Sequence, residues 1–378
     1  MTEATPAPDD PVPAADGFRM PAEWLPHRAT WLAWPHNRQT WPHNLGEAQQ
    51  EFVRLAATIA RGETVCVLAS GPALDQARRM LEGIRDLELF DVPTNDAWIR
   101  DTGPTFVTRP DRGELAAVAW RYNGWGEKYP PFDLDQQVGQ RVAGLAGCPC
   151  LASQRVVEGG ALEINAQGDL LTTISCLLHF NRNPVPGAGS ADTEITGEDF
   201  HRLQSALSAD LAALLGLRSI AWLSGAELEG DDTDGHIDQQ VRFVNDHQVL
   251  LARGASADDP RDESLRRNIG ELQATFAESP VPLQGMDLPL PPPIRWRDTI
   301  LPASYLNFYI CNYGVIVPQF DNTLADARAI DIVKTAFPGR RIIGLPALNL
   351  AVGLGSFHCL TQQEPDPSVG PAEASLPD

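Results

Sequence analysis

Basic residues are scarce in this chain. Lys and Arg number 29 against 50 Asp and Glu in 378 residues, a formal net charge of −21 at pH 7. That balance disfavours nucleic acid and anionic membrane surfaces as partners and would suit a small cation. An acidic surface also serves solubility by itself, so only charges close to a site carry functional information. Cysteine is sparse too: there are six, at positions 66, 148, 150, 176, 311 and 359, with no CxxC pairs. Neither a disulfide framework nor a zinc ribbon is expected. Cys66, Cys176 and Cys311 lie in apolar, strand-like runs where a thiol fills core space, and Cys148-Pro149-Cys150 reads as incidental. No apolar run is long enough to cross a bilayer, and no basic region leads into an apolar stretch at the N-terminus, so a soluble cytoplasmic protein is the expectation. A GxGxxG turn after an early strand and a P-loop lysine are also missing, which weighs against a doubly wound nucleotide-binding sheet.

Composition changes sharply only at the ends. Met1 to about Gly17 is rich in Pro, Ala and Asp, and the stretch from Glu364 to Asp378 is similar. Neither holds enough apolar surface to offset the entropy of ordering, so tails are expected over 1–17 and 366–378, flanking one domain over 18–365. Within it, strands are expected at Ala29–Trp34, Thr64–Ala69, Leu87–Val92, Thr105–Thr108, Ala116–Arg121, Ser219–Leu223, Gln248–Ala252, Tyr305–Cys311, Gly314–Val317 and Arg341–Leu345. Helical spacing marks 46–61, 74–81, 134–146, 262–276 and 324–336. It also marks the run Phe200, Leu203, Leu207, Leu211 and Leu214, with Thr196 and Asp199 as its starting box.

Four segments carry chemistry-bearing side chains beside turn-forming glycines. They are Trp98-Ile99-Arg100-Asp101-Thr102-Gly103-Pro104, Val157-Glu158-Gly159-Gly160, Gly230 to Asp238, and Gly353-Leu354-Gly355-Ser356-Phe357-His358-Cys359. The glycines of the last suit a backbone conformation closed to other residues, presenting Cys359 as a candidate nucleophile. Trp98 to Asp101 reads as a loop or strand entrance. Glu158-Gly159-Gly160 would open a hairpin from Ala161–Ile164 into Leu170–Ile174, and His236-x-Asp238 on a strand running to Val244 would put both side chains on one face. Taken singly, Cys359 could be a core thiol and Asp101 a turn cap. Site segments beginning near 101, 158, 236, 307 and 359 suggest recurring units of strand, strand, helix, strand in a mixed α/β protein. Gly230–Asp238 is not an EF-hand loop, because Gly230 and Val241 stand where carboxylates are needed, and no four-ligand transition-metal set is evident.

On these segments, in this order, the chain resembles the agmatine deiminases, a branch of the guanidino-group-modifying superfamily that also contains the Porphyromonas-type peptidylarginine deiminases. The resemblance runs from about Met20 to Pro365. It implies a five-bladed α/β propeller with pseudo-fivefold symmetry and hydrolysis of agmatine to N-carbamoylputrescine and ammonia, within putrescine biosynthesis. No cofactor or metal is implied, and a homodimer is expected. Carried to this chain, it makes Cys359 the nucleophile that forms a thiouronium intermediate, Asp101 and Asp238 the carboxylates on opposite edges of the guanidinium, and His236 the proton donor and then the base for water. Glu158 becomes a glutamate that either contacts the guanidinium or stands behind it, orienting His236 and adding negative charge. Trp98 and Trp125 would line the substrate pocket, though either could be core packing. The acidic residues Glu227, Glu229, Asp231, Asp232 and Asp234 would attract an ammonium tail, whereas Arg100, Arg121 and Arg182 are the candidates for pairing a carboxylate tail. Ala161-Leu162-Glu163-Ile164-Asn165, Asp234 and Ser356-Phe357 depart from the usual agmatine-enzyme residues and bear on the tail pocket. A peptidyl- or free-arginine deiminase, an amidinotransferase and a non-catalytic binding module are the rival readings.

Overall fold

The computed structural model describes residues 13–185, 197–226, 228–256, 258–276 and 282–370. Strand β1 (His27–Ala33) pairs in parallel with β2 (Thr64–Ala69), and the helix Leu45–Ile59 makes the crossover between them. That helix buries Phe52, Leu55, Ala56 and Ile59 completely, as their helical spacing requires; each large apolar side chain there contributes roughly 1.5–3 kcal/mol. A second crossover helix, Gly71–Met80, leads to β3 (Leu87–Asp91) beside β2.

The chain then repeats one pattern: an antiparallel hairpin, a helix, and a third strand parallel to the hairpin's second. The first such unit has β4 (Thr105–Arg109), β5 (Glu114–Arg121), the helix Val138–Leu145 and β6 (Cys150–Val156). The next has β7 (Glu163–Ile164), β8 (Asp169–Thr173), the helix Gly197–Leu215 and β9 (Ser219–Leu223). It is followed by β10 (Val241–Asn245), β11 (Gln248–Arg253), the helix Asp262–Thr275 and β12 (Gln284–Pro289). A short ribbon of β13 (Arg295–Trp296) and β14 (Thr299–Ile300) intervenes before β15 (Tyr309–Cys311), β16 (Gly314–Gln319), the helix Thr323–Ala336 and β17 (Ile342–Pro346). Last, β18 (Gln362–Pro365) pairs antiparallel with β1, so the two ends of the chain share a sheet. The described residues thus form a mixed α/β protein of small mixed sheets, and none of their helices is long and apolar enough to cross a membrane.

Five strands lie outside the sequence expectation, the short ribbon of β13 and β14 among them. β6 and β12 are largely exposed edge strands, and β12 ends in a proline. β18 is polar yet buried, which corrects the reading of Glu364 and Pro365 as tail: Glu364 is 2% exposed and accepts Trp31 Nε1 at 2.8 Å, and Gln363 accepts Arg100 Nη1 at 2.7 Å. Contacts also extend past the expected ends of the domain. The backbone N–H of Ala14 donates to Ala213 and that of Asp366 to Pro26. Thr196 lies outside the described residues, and the helix it was expected to start is described from Gly197.

Candidate active site

The candidate side chains lie just before the first hairpin strand of a repeat. Asp101 precedes β4, Glu158 precedes β7, His236 and Asp238 precede β10, and Cys359 precedes β18. The local backbone differs from the expectation in three places. Ile99–Thr102 is a single helical turn rather than a loop or strand entrance. Gly159–Ala161 and Ile237–Gln239 are 3-10 turns, so the hairpin begins at Glu163 and His236-x-Asp238 is not on a strand. Short turns of this kind let neighbouring residues aim at different partners, and His236 and Asp238 do so. The glycines before Cys359 also act differently from the expectation. Neither Gly353 nor Gly355 has positive φ, and Leu354 does, at 73°. A Cβ on Gly353 would meet Trp41 at 2.7 Å and one on Gly355 would meet Trp98 at 2.5 Å, so close packing is what excludes side chains there. Gly160 is similarly confined, its Cβ position lying 2.5 Å from His236 Nδ1.

Cys359 is buried, its Sγ 3.2 Å from Asn307 Nδ2 and 3.7 Å from Asp238 Oδ2. Burial, with the Asp238 and Asp101 charges, pushes its thiol well above the usual range. Asp238 Oδ2 accepts from His358 Nδ1 at 2.7 Å and Asn307 Nδ2 at 3.2 Å, while its Oδ1 is buried and has no protein partner. Burial alone would raise this carboxyl, but the His358 contact holds it below its ordinary value. His358 Nε2 in turn meets Glu23 Oε2 at 2.8 Å, and Glu23 is gripped by Arg242 Nη2 at 2.9 Å. A buried chain running from Asp238 through His358 and Glu23 to Arg242 therefore braces Asp238 from behind.

Asp101 accepts the Gly160 N–H at 2.9 Å and the Trp125 indole N–H at 3.0 Å. Burial raises its carboxyl, with Glu158 and Asp238 adding to the effect against the pull of His236. His236 lies between Asp101 Oδ1, 3.9 Å from its Nδ1, and Glu158 Oε2, 3.6 Å from its Nε2, and neither ring nitrogen has a hydrogen-bond partner in the protein. Burial would lower the imidazole, but the Asp101 charge and its other neighbours raise it well above its ordinary range, which favours the protonated form. Glu158 accepts Arg182 Nε at 2.8 Å on Oε1 and touches Cys176 Sγ at 3.4 Å on Oε2. Burial opposes its ionisation, yet Arg182 and His236 hold it at about 2.

Asp101 and Cys359 reach the floor of a cavity of about 880 Å³. Trp98 and Trp125 both line it, and each also packs: Trp98 lies 5.4 Å from the Trp41 ring, and Trp125 meets Tyr122 edge-on at 5.4 Å. Trp125 sits in a left-handed turn in which Gly124, Trp125, Gly126 and Glu127 all have positive φ. For the two non-glycine residues that conformation costs about 1–2 kcal/mol each. The turn is tied down by Asn123, whose Oδ1 accepts the Gly126 N–H, and by Lys128 Nζ on Asp234 at 2.8 Å.

The acidic loop contributes less than expected. Asp231 caps its own loop through Thr233 and Gly235, Asp234 pairs with Lys128 and Arg182, Glu229 is exposed, and Glu227 lies outside the described residues. Asp232 does line the cavity, its carboxylate accepting the Tyr129 hydroxyl. Among the arginines, Arg100 is engaged by Gln363 and Glu23, Arg182 by Glu158 and Asp234, and exposed Arg121 lies away from the cavity. Two others, Arg38 and Arg297, are exposed along its wall. Asn307, His358, Glu23 and Cys176 were given no role in the site from sequence, and Arg182 was considered only as a partner for a carboxylate tail. Asn307 and His358 left a signal, because a site segment was expected to begin near 307 and His358 stands beside Cys359 in its segment.

A family model for Porphyromonas-type peptidyl-arginine deiminase matches residues 19–365. The chain is 36% identical to an agmatine deiminase of Pseudomonas syringae pv. tomato, over 94% of this chain and 98% of that one. Among solved structures, an agmatine deiminase of Enterococcus faecalis superposes with a TM-score of 0.84 at 29% identity, covering 95% of this chain and 99% of that chain. One from C. jejuni with substrate bound superposes with a TM-score of 0.80 at 26% identity, covering 92% and 96%. The match spans every segment that builds the site, and the chain belongs to the Porphyromonas-type peptidyl-arginine deiminase family.

Proposed function

We propose that the protein hydrolyses agmatine to N-carbamoylputrescine and ammonia, a step toward putrescine, with Cys359 as nucleophile. The observation that carries this reading is the floor of the cavity, where a thiol lies against Asp238, whose Oδ1 is buried without a protein partner, and Asp101 stands nearby. A planar guanidinium offers paired N–H donors along its edges, and carboxylates bind such edges with charge-assisted hydrogen bonds. Asp238 and Asp101 take opposite edges, leaving the central carbon facing Sγ.

Substrate charge sets the timing of the reaction. The thiol is neutral in the free enzyme, and a bound guanidinium offsets the two carboxylate charges that hold its proton on. The proton leaves to solvent, the thiolate adds to the guanidinium carbon, and protonated His236 gives its proton to the departing nitrogen, which leaves as ammonia. The remaining thiouronium is attacked by water that neutral His236 deprotonates, and collapse returns thiolate and the ureido product. Glu158, fixed by Arg182, holds negative charge beside His236 and so favours its protonated form. Asp232 at the aromatic wall takes the distal ammonium. The five repeats form the blades of a propeller, a reading supported by their shared order of strand, strand, helix and strand and by the pairing of β18 with β1.

Arg38 and Arg297 favour a second reading, in which a substrate with an anionic tail, such as free arginine, is used. Ammonia release measured with agmatine, free arginine and a short arginine peptide separates the two. The agmatine reading requires N-carbamoylputrescine as product, and equal or better turnover of arginine or the peptide would replace it with the second.

A further inference from the structure

Behind the reacting carbon lies a cluster that the mechanism uses only in part. Glu158 Oε2, Cys176 Sγ and His236 Nε2 converge there, all three residues are buried, and the three ligand atoms lie within 4.8 Å of one another. Glu158 Oε2 is 3.4 Å from the sulfur and 3.6 Å from the imidazole nitrogen. Zinc bonds of about 2.0–2.3 Å to O, N and S, meeting near the tetrahedral angle, place their ligand atoms roughly 3.3–3.6 Å apart. The two separations from Glu158 Oε2 are close to those edges, and Cys176 Sγ and His236 Nε2 lie within 4.8 Å of each other. His236, 1% exposed, has no hydrogen-bond partner at either ring nitrogen, and its Nε2 is aimed at this cluster. The Arg182 guanidinium occupies Glu158 Oε1 and leaves Oε2 to Cys176 Sγ and the imidazole.

We propose that Glu158, Cys176 and His236 form an inhibitory site for a thiophilic divalent cation of the Zn2+ class. The ion is held on the side of the imidazole away from Asp101, with a water in its fourth position. Binding expels the Cys176 thiol proton and the proton on His236 Nε2 to solvent, so no electrons are transferred. The approach from solvent is past Asp101, which lines the cavity and lies 3.9 Å from His236 Nδ1. Coordination fixes His236 as a neutral ligand that cannot donate a proton to the leaving nitrogen. The ion is therefore an inhibitor and not a cofactor, and it leaves Cys359 and the Asp238 carboxylate unoccupied. Binding follows from the geometry alone, whereas inhibition also depends on the role given above to His236.

The direct test is anomalous diffraction from crystals of the wild-type protein soaked in ZnCl2, paired with turnover of agmatine at increasing Zn2+. An ion between Glu158, Cys176 and His236 is expected, with inhibition that a chelator reverses. In the Cys176→Ser variant the Zn2+ concentration for half-inhibition should rise at least about tenfold, since loss of even an outer partner weakens metal sites by about 10–100-fold. Should that variant fail to fold, Co2+ titration of Cys359→Ser protein provides the second readout: a thiolate-to-cobalt absorption band is expected although the nucleophile is gone. Anomalous density only at Cys359, loss of the cobalt band with Cys359, or unchanged inhibition in Cys176→Ser would overturn the site while leaving agmatine hydrolysis intact. An ion at the cluster with undiminished turnover would overturn the inhibitory claim, and with it the proton-donor role of His236.

Discussion

Asp101 and Asp238 stand close to one thiol, yet their carboxyls are tuned in opposite directions. Burial raises both, but at Asp238 the contact with His358 more than offsets it, whereas Asp101 has only two N–H donors and the more distant His236 against burial. Asp101→Asn and Asp238→Asn should each lower kcat/KM for agmatine at least about tenfold, because a charged hydrogen bond is worth about 1.5–3 kcal/mol and an amide sets a donor where an acceptor is needed. The same substitutions should have an opposite effect on the empty site. The two charges help hold the thiol proton on, so removing either lowers the thiol toward its ordinary value of 9.0 and raises the thiolate fraction near pH 8. Alkylation of Cys359 by uncharged iodoacetamide, followed by mass spectrometry without substrate, should then run faster in both variants than in wild type. Slower alkylation together with unimpaired turnover would remove the carboxylate clamp. At this scale the reacting groups were legible because each sits beside a glycine in a recognisable segment. Their supports were not: Glu23 is 335 residues from His358 in the chain, and no local pattern announces such a pairing.

Among the elements, regular strands and helices followed hydropathy closely, and Thr64–Ala69 and Ser219–Leu223 have the expected ends. The turns that carry the site did not follow it. A 3-10 turn at Ile237–Gln239 and a left-handed turn at Gly124–Glu127 have no apolar period, and β18 is a buried strand whose polar side chains find partners only in the folded chain. Gly160 tests how tightly such a turn is built. Its Cβ position is 2.5 Å from His236 Nδ1 and 3.0 Å from Asp101 Oδ1, so Gly160→Ala should cost at least about a hundredfold in kcat, as expected when reacting groups move by about 1 Å. Retained kcat in a folded variant would contradict that geometry. Glu158 and Arg182 tie the turn before β7 to the acidic loop, and their pairing makes a pH prediction. A carboxyl held at about 2 in the fold and near 4.5 when unfolded contributes stability that is present above 4.5 and is lost as pH falls toward 2. Melting temperature should therefore decline through this acid window, and Glu158→Gln should flatten the decline while lowering stability at neutral pH. An unchanged acid slope in the variant would show that the pair does not supply that stability.

For the whole molecule, recurrence of one unit explains how residues as far apart as Asp101 and Cys359 meet. Each repeat presents its site segment at the same point of its topology, and the pairing of β18 with β1 brings the last segment back to the first sheet. The recurring units were visible in the sequence, but β6 and β12, the strands that complete two of them, were not, because exposed edge strands lack the apolar pattern of central ones. The net charge of −21 attracts a dication from a distance, so kcat/KM for agmatine should fall as ionic strength rises. If Asp232 pairs the tail, agmatine should exceed free arginine in kcat/KM by at least about a hundredfold, about 2.7 kcal/mol, despite Arg38 and Arg297 at the cavity wall. A competition assay with both compounds decides between those two charge patterns. The covalent step is the centre of the account, and trapping it is the most direct test. Wild-type protein mixed with agmatine, quenched in acid during turnover and digested should yield the Cys359 peptide heavier by the mass of agmatine less one ammonia, with no adduct on any peptide of the Cys359→Ser variant, which should release no ammonia. An adduct on another cysteine, or ammonia release by Cys359→Ser at the wild-type rate, would contradict it.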